Sequence, residues 1–99
     1  MRGKTIERLR YAFEFCGYDF DDVMGNPSRK RIYADLRAIA WYIYQEELRR
    51  TSGQVARAFK RDHSTVYCGI VRASRLRRCD KQFSDLYDSI YGAFMAKDN

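Results

Sequence analysis

The chain has 99 residues, 45% of them hydrophobic and 32% charged, with a formal net charge of +6 and three cysteines. That length suits one hydrophobic core, and that composition favours folding over disorder. There is no run of the ~20 apolar residues that span a bilayer, no signal peptide in the opening MRGKTIERLR, and no CxxC spacing to suggest a disulfide frame or zinc site. Cys16, Cys68 and Cys79 therefore read as reduced thiols of a cytoplasmic protein, with no membrane association expected.

Ile6, Leu9 and Phe13 mark the inner stripe of a first helix that should end near Gly17. The stretch DFDDVMGNP reads as a short helical turn closed by Gly25, Asn26 and Pro27. Ser28 is placed to cap a long helix whose core stripe is Ile32, Leu36, Ile39, Ala40 and Ile43, with Trp41, Tyr42 and Tyr44 widening its apolar girth. Thr51 or Ser52 then caps a short helix that turns Val55, Ala56 and Phe59 inward. After a turn of Lys60, Arg61 and Asp62, a further helix runs to about Arg78 with Val66, Ile70 and Ala73 buried. The last helix has the clearest periodicity, in Phe83, Leu86, Tyr87, Ile90, Tyr91 and Phe94, and no strand pattern competes anywhere. The expected fold is all-α, a compact domain of five or six helices. Residues 1–27 form an N-terminal helix and linker turn packed on a helix-turn-helix domain at 28–99.

The charge is unevenly placed. Residues 28–79 hold thirteen basic side chains against four acidic ones, a net +9, whereas 1–27 carry −1 and 80–99 carry −2. Such a block points to a polyanion, with nucleic acid ahead of a membrane surface or an acidic protein. Within it, a short helix, a tight turn and a longer helix describe a helix-turn-helix, whose second helix presents its N-terminal residues to the major groove. Ala56 is small where the two helices must cross. Thr65, Cys68, Arg72 and Arg75 share the outward face of the second helix, with Ser64 beside them. Asp62, an anion at the head of that helix, has two readings. It is an N-cap that binds a free backbone N–H, or a carboxylate that accepts from cytosine N4 in the groove. His63, the only histidine, is likewise either a core residue or a base contact.

RDHSTV at residues 61–66 resembles the hallmark R-D-H-[ST]-T-V of the C-terminal DNA-binding domain of the bacterial chromosomal replication initiators, the DnaA family. SRKR at 28–31 followed by A-x-x-R-x-I-A at 34–40 resembles the start of that domain's long helix. QVARAF at 54–59, DDVM at 21–24 and FSDLYDSI at 83–90 resemble its E-I-G-x-A-F helix, its linker segment and its closing helix. The resemblance covers nearly the whole chain and is strongest over 28–73. It implies a bacterial, nucleoid-associated protein that binds double-stranded DNA of the origin-box type, as a monomer. Asp62, His63, Ser64 and Thr65 would read base edges, with the Thr65 methyl against a thymine methyl. Cys68 would join them, but it stands where the family often carries histidine, so one base contact is expected to be lost or changed. Arg61, Thr51, Ser52 and Gln54 would hold phosphates at helix starts, Arg29, Lys30, Arg31, Arg37 and Lys60 are further expected phosphate contacts, and Arg72 and Arg75 read as DNA-backbone anchors or solvated charges. The chain departs from the family at three places. The minor-groove arginine two residues before Arg37 is Asp35, the usual Leu-Pro is Ser52 and Gly53, and the turn before Arg61 is one residue shorter than the common Gly-Gly version. Arg29, Lys30 or Arg31 is then expected to substitute in the minor groove.

No GxxxxGK[ST] occurs, so the expectation is a free-standing DNA-binding unit without an ATPase module, which regulates replication initiation or transcription. Its apolar N-terminal helix is offered to a protein partner. Asp19, Asp21 and Asp22 read as a solvated helix start rather than metal ligands, and neighbouring Asp62 and His63 form no catalytic relay. Neither an enzyme nor a cofactor or metal is expected. The competing reading is a protein-interaction module that keeps this fold and binds DNA weakly, without sequence preference.

Overall fold

Six helices make up the regular structure of residues 2–97, the part of the chain that the computed structural model describes. They are α1 (Arg2–Phe15), α2 (Phe20–Gly25), α3 (Arg31–Leu48), α4 (Ser52–Phe59), α5 (His63–Cys79) and α6 (Lys81–Ala96). The architecture is all-α. The long central α3 is touched by all five other helices, while α1 packs on α6 and α5 on both α4 and α6. Leu9, Phe13, Leu36, Ile39, Ile43, Val55, Val66, Phe83, Ile90 and Phe94 meet in one continuous core. Each such side chain contributes roughly 1.5–3 kcal/mol on burial.

The helix ends follow from local chemistry. Gly17 takes φ +92, so its N–H reaches Glu14 O (3.0 Å) and the Tyr18 N–H reaches Phe13 O (2.9 Å), closing α1 where a glycine can turn left-handed. Asp19 caps α2 by accepting from the Asp22 N–H at 3.1 Å, and α2 turns Phe20 edge-on to Phe13, 5.1 Å between centroids. Thr51 rather than Ser52 caps α4. The Gln54 N–H donates to Thr51 Oγ1 (3.2 Å) and the Thr51 N–H to Gln54 Oε1 (2.9 Å), a reciprocal box that satisfies two otherwise unpaired donors. Asp80 ends α5 and caps α6, accepting from the Phe83 N–H at 2.8 Å and from Arg31. Those two bonds hold its carboxyl below the usual carboxylate range.

Two expectations for the start of α3 are corrected. Ser28 is not its cap: the helix begins at Arg31 with Lys30 in the cap position and no side-chain bond to the helix. Ser28 Oγ instead accepts the Lys30 N–H at 3.2 Å, a local turn that uses up the hydroxyl before the helix begins. Ile32 is not core but 36% exposed. One turn after Arg31 the buried position is Asp35, whose carboxylate receives arginines from α3 and α5. In α6, Tyr91 is also more exposed than its periodicity suggests, at 39%, and stacks on Tyr87 at 5.5 Å.

A glycine sets how closely α5 approaches α3. A Cβ on Gly69 would stand 2.6 and 2.7 Å from Cε3 and Cζ3 of the buried Trp41 ring. Alanine would gain about 1 kcal/mol in helix propensity. Overpacking against this buried planar ring costs about 1–3 kcal/mol, so the clash wins. Gly69→Ala is expected to destabilise by about 1 kcal/mol, read as a lower urea midpoint at unchanged slope. A raised midpoint would mean that Trp41 yields without cost.

Candidate nucleic-acid interface

α4, the turn at Lys60, Arg61 and Asp62, and α5 form the helix-turn-helix. The turn is tight because Lys60 is left-handed (φ 55) and the Arg61 N–H returns to Ala56 O at 2.9 Å. Asp62 caps α5 through one oxygen: Oδ2 accepts the Thr65 N–H (3.1 Å) and the Thr65 hydroxyl (3.4 Å). Among the described residues Oδ1 takes no hydrogen bond, so the cap leaves one acceptor of this exposed carboxylate open. His63 is exposed, and its Nε2 lies 2.9 Å from Ser52 Oγ, tying the start of α5 to the start of α4. That bond exists because Ser52 brings a hydroxyl where the resembled family has leucine. Neighbouring Gly53 is not required by the imidazole, since a Cβ there would stand 4.0 Å from the ring, an ordinary contact. Ser64, Thr65 and Cys68 are exposed on the same end of α5. The structure thus brings the five expected base-reading residues together on one surface.

The expected phosphate anchors separate into two sets. Arg29, Lys30, Lys60 and Arg75 are exposed, and among the described residues none of them meets a carboxylate at ion-pair distance. Arg31, Arg37, Arg61 and Arg72 are all engaged within the chain. Arg37 Nε donates to Val23 O at 2.9 Å, and its Nη2 to Asn26 O and to Ser28 O, the latter at 3.2 Å. Arg61 donates to Met24 O and lies over the Trp41 ring, 5.8 Å from its centroid. These two arginines therefore receive the carbonyls at the C-terminal end of α2, where cations are favoured by the helix dipole. Burial, with the positive charge of Arg61 adding to it, pushes the Arg37 guanidinium below its ordinary pKa. Thr51 and Gln54 use both their amides and their side-chain acceptors in the capping box, which leaves the Ser52 and Gly53 amides as the backbone donors at the head of α4.

Asp35 explains the other two. It is 1% exposed, and its carboxylate accepts from Arg31 Nε at 3.0 Å and from Arg72 Nε and Nη2 at 3.1 and 2.8 Å. Arg31 also pairs with Asp80 at 2.8 Å. The acid that replaces the family's minor-groove arginine is therefore an internal anion joining α3, α5 and the head of α6.

Over 83 residues, 82% of its length, the chain is 32% identical to the chromosomal replication initiator protein DnaA of Ruegeria sp. strain TM1040. It is 31% identical over the same length to that of Ruegeria pomeroyi. The chain is a DnaA-like domain. It spans 17% and 18% of the length of these two relatives. No protein-family model and no solved structure matches it.

Two residues of the DnaA-like domain's outer face escaped the sequence reading. Tyr67 and Val71 are 55% and 42% exposed on α5, one turn apart. The signal was present, since this apolar pair runs out of phase with Val66, Ile70 and Ala73. Beside them an open groove of about 480 Å³ lies between α3 and α5, with Ala34 and Trp41 on one side and Cys68 and Arg72 on the other. The three N-terminal aspartates are spent locally. Asp19 caps α2, Asp21 pairs with Arg10 at 2.7 Å, and Asp22 accepts from Asn26 and Tyr33. Among the described residues, no group of three or more His, Cys, Asp or Glu is placed to hold a metal ion. No helix among them is long and apolar enough to cross a membrane.

Proposed function

We propose that this DnaA-like domain binds double-stranded DNA at specific sequences, with α5 in the major groove, and regulates replication initiation or transcription in the bacterial cytoplasm. The observation that carries the reading is the exposed head of α5. There Asp62, His63, Ser64 and Thr65 stand beside the capped start of α4, with Lys60 exposed nearby and Arg75 exposed further along α5. Asp62 caps the helix with Oδ2 and offers Oδ1 to a cytosine amino group, so its two readings are compatible. His63 is held by Ser52, and the Thr65 methyl and Cys68 face the groove floor. Backbone amides at the starts of α4 and α5 hold phosphates together with Arg29, Lys30, Lys60 and Arg75. With Arg31 held by two carboxylates, Arg29 and Lys30 are the residues of the basic loop left to enter the minor groove. The domain acts as a monomer, and α1 is the surface offered to a protein partner.

The test is a fluorescence-anisotropy titration across salt concentrations, comparing a duplex that carries an initiator box with a scrambled one. The expected result is at least a hundredfold preference for the box, at the low end of specific recognition. Equal, salt-steep binding to both would favour the interaction module instead. Asp62→Asn should keep most of the cap and relax the preference at one cytosine by about 1–3 kcal/mol. Unchanged specificity in that variant would leave Asp62 with the cap alone.

A further inference from the structure

We infer that α5 reads the 5-methyl group of pyrimidines through an apolar stripe of Tyr67, Cys68 and Val71. This inference rests on α5 occupying the major groove, as proposed above. A helix lying along a groove offers its floor the positions i, i+3, i+4 and i+7. In α5 one such set is Ser64, Tyr67, Cys68 and Val71, and all four are exposed. The opposite side of the helix is fully occupied by the core, with Val66, Ile70 and Ala73 at 0%, 7% and 0% exposure. Tyr67 and Val71, at 55% and 42%, therefore add little to that core. Both are also poorer helix formers than the polar residues that suit a solvated face.

The stripe sits inside the basic surface rather than apart from it. Ser64 lies at its head and exposed Arg75 one turn beyond Val71, while Arg72 lies to one side and the His63–Ser52 pair to the other. An exposed cation, Arg75, at the end of an apolar strip, with the Asp35-paired Arg72 and the His63–Ser52 pair as polar flanks, fits a ligand with an anionic margin and an apolar feature beside it. The edges of ordinary base pairs in the major groove are donors and acceptors, except for the C5-methyl of thymine. A cytosine methylated at C5 presents the same group. Tyr67 and Val71 supply the contact surface for such methyls, and Cys68, small and weakly polar, lets the helix approach closely enough to use them.

The experiment uses the initiator-box duplex and the same duplex with deoxyuridine for thymine, which removes methyls and leaves every hydrogen-bonding edge intact. The wild-type chain is expected to lose about fourfold in affinity per contacted methyl, the worth of burying one group of that size. Tyr67→Ala and Val71→Ala should each lose less on the same replacement. Both positions are exposed, so both variants should melt like the wild type. In a second pair of duplexes, 5-methylcytosine replaces cytosine. A gain that Val71→Ala lacks assigns both methylated pyrimidines as ligands, whereas no gain assigns thymine alone. Equal wild-type affinity for the thymine and deoxyuridine boxes, with the preference over scrambled DNA intact, overturns the stripe while the groove reading stands. A full deoxyuridine penalty retained in both variants overturns it as well. Wild-type protein that does not distinguish the box from scrambled DNA is the separate failure, which removes the groove reading and the stripe together.

Discussion

Asp35→Ala is expected to destabilise the fold by about 3–5 kcal/mol, the usual cost of removing one partner from a buried ion pair. The Asp35 side chain is 2% exposed, whereas those of Arg31 and Arg72 are 42% and 36% exposed. Without the carboxylate, two guanidinium groups converge on an emptied site, and nothing replaces the bonds from Arg31 Nε and from Arg72 Nε and Nη2. Both arginines keep part of their hydration, which moves the cost toward the lower end of that range. For a domain of this size the melting temperature should fall by roughly 10–25 °C. Replacing all three residues together by apolar side chains of similar volume should recover much of the loss, because no charge is then left unpaired. A fall worth less than about 1 kcal/mol in Asp35→Ala would reduce the cluster to an ordinary surface bridge.

The same residue marks a limit of sequence reading. As a letter in the chain, Asp35 registers as a lost groove contact, because the resembled family has arginine there. Its actual role depends on Arg72, which lies in α5 and reaches it only once the helices have packed. The internal partners of Arg37 and Arg61 were hidden for a related reason. In a strongly basic block an arginine is naturally assigned to phosphate, yet these two donate to backbone carbonyls of Met24, Val23, Asn26 and Ser28. A carbonyl has no residue identity, so no pattern of side chains announces it as a partner. Ser28 failed as a cap because a short hydroxyl has a competing local use. Of the two candidates for the next cap, Thr51 and Ser52, the structure takes Thr51, where Gln54 completes a reciprocal pair. The helices themselves were legible wherever one apolar stripe met a core, as in α5 and α6. The RDHSTV segment was legible because its residues are contiguous at a helix head, where Asp62, His63, Ser64 and Thr65 are exposed while Val66 turns into the core.

The second large effect is expected at Arg37, and it separates a clamp from a phosphate anchor. If Arg37 served only to hold a phosphate, Arg37→Ala would leave the free protein's melting temperature unchanged and lower the salt slope of DNA binding by about 0.9. The geometry predicts otherwise. Arg37 leaves α3 to satisfy Val23 O, Asn26 O and Ser28 O, so it fixes the segment between α2 and α3 that carries Arg29 and Lys30. Truncation strands three partly buried carbonyls, at about 1–3 kcal/mol for each that water cannot reach. Relief of the repulsion from Arg61 returns a little of that. The net expectation is about 2–4 kcal/mol, a fall of roughly 10 °C or more in the absence of DNA. Arg37→Lys should not rescue it, because the three donors of lysine radiate from one nitrogen, whereas these carbonyls are met from two separate nitrogens, Nε and Nη2, of a planar fork. DNA affinity should fall for box and scrambled duplexes alike, because the freed segment no longer presents Arg29 and Lys30 in a fixed place while the base-reading head of α5 is untouched. A melting temperature within 1 °C of wild type, with the salt slope reduced, would return Arg37 to the phosphate.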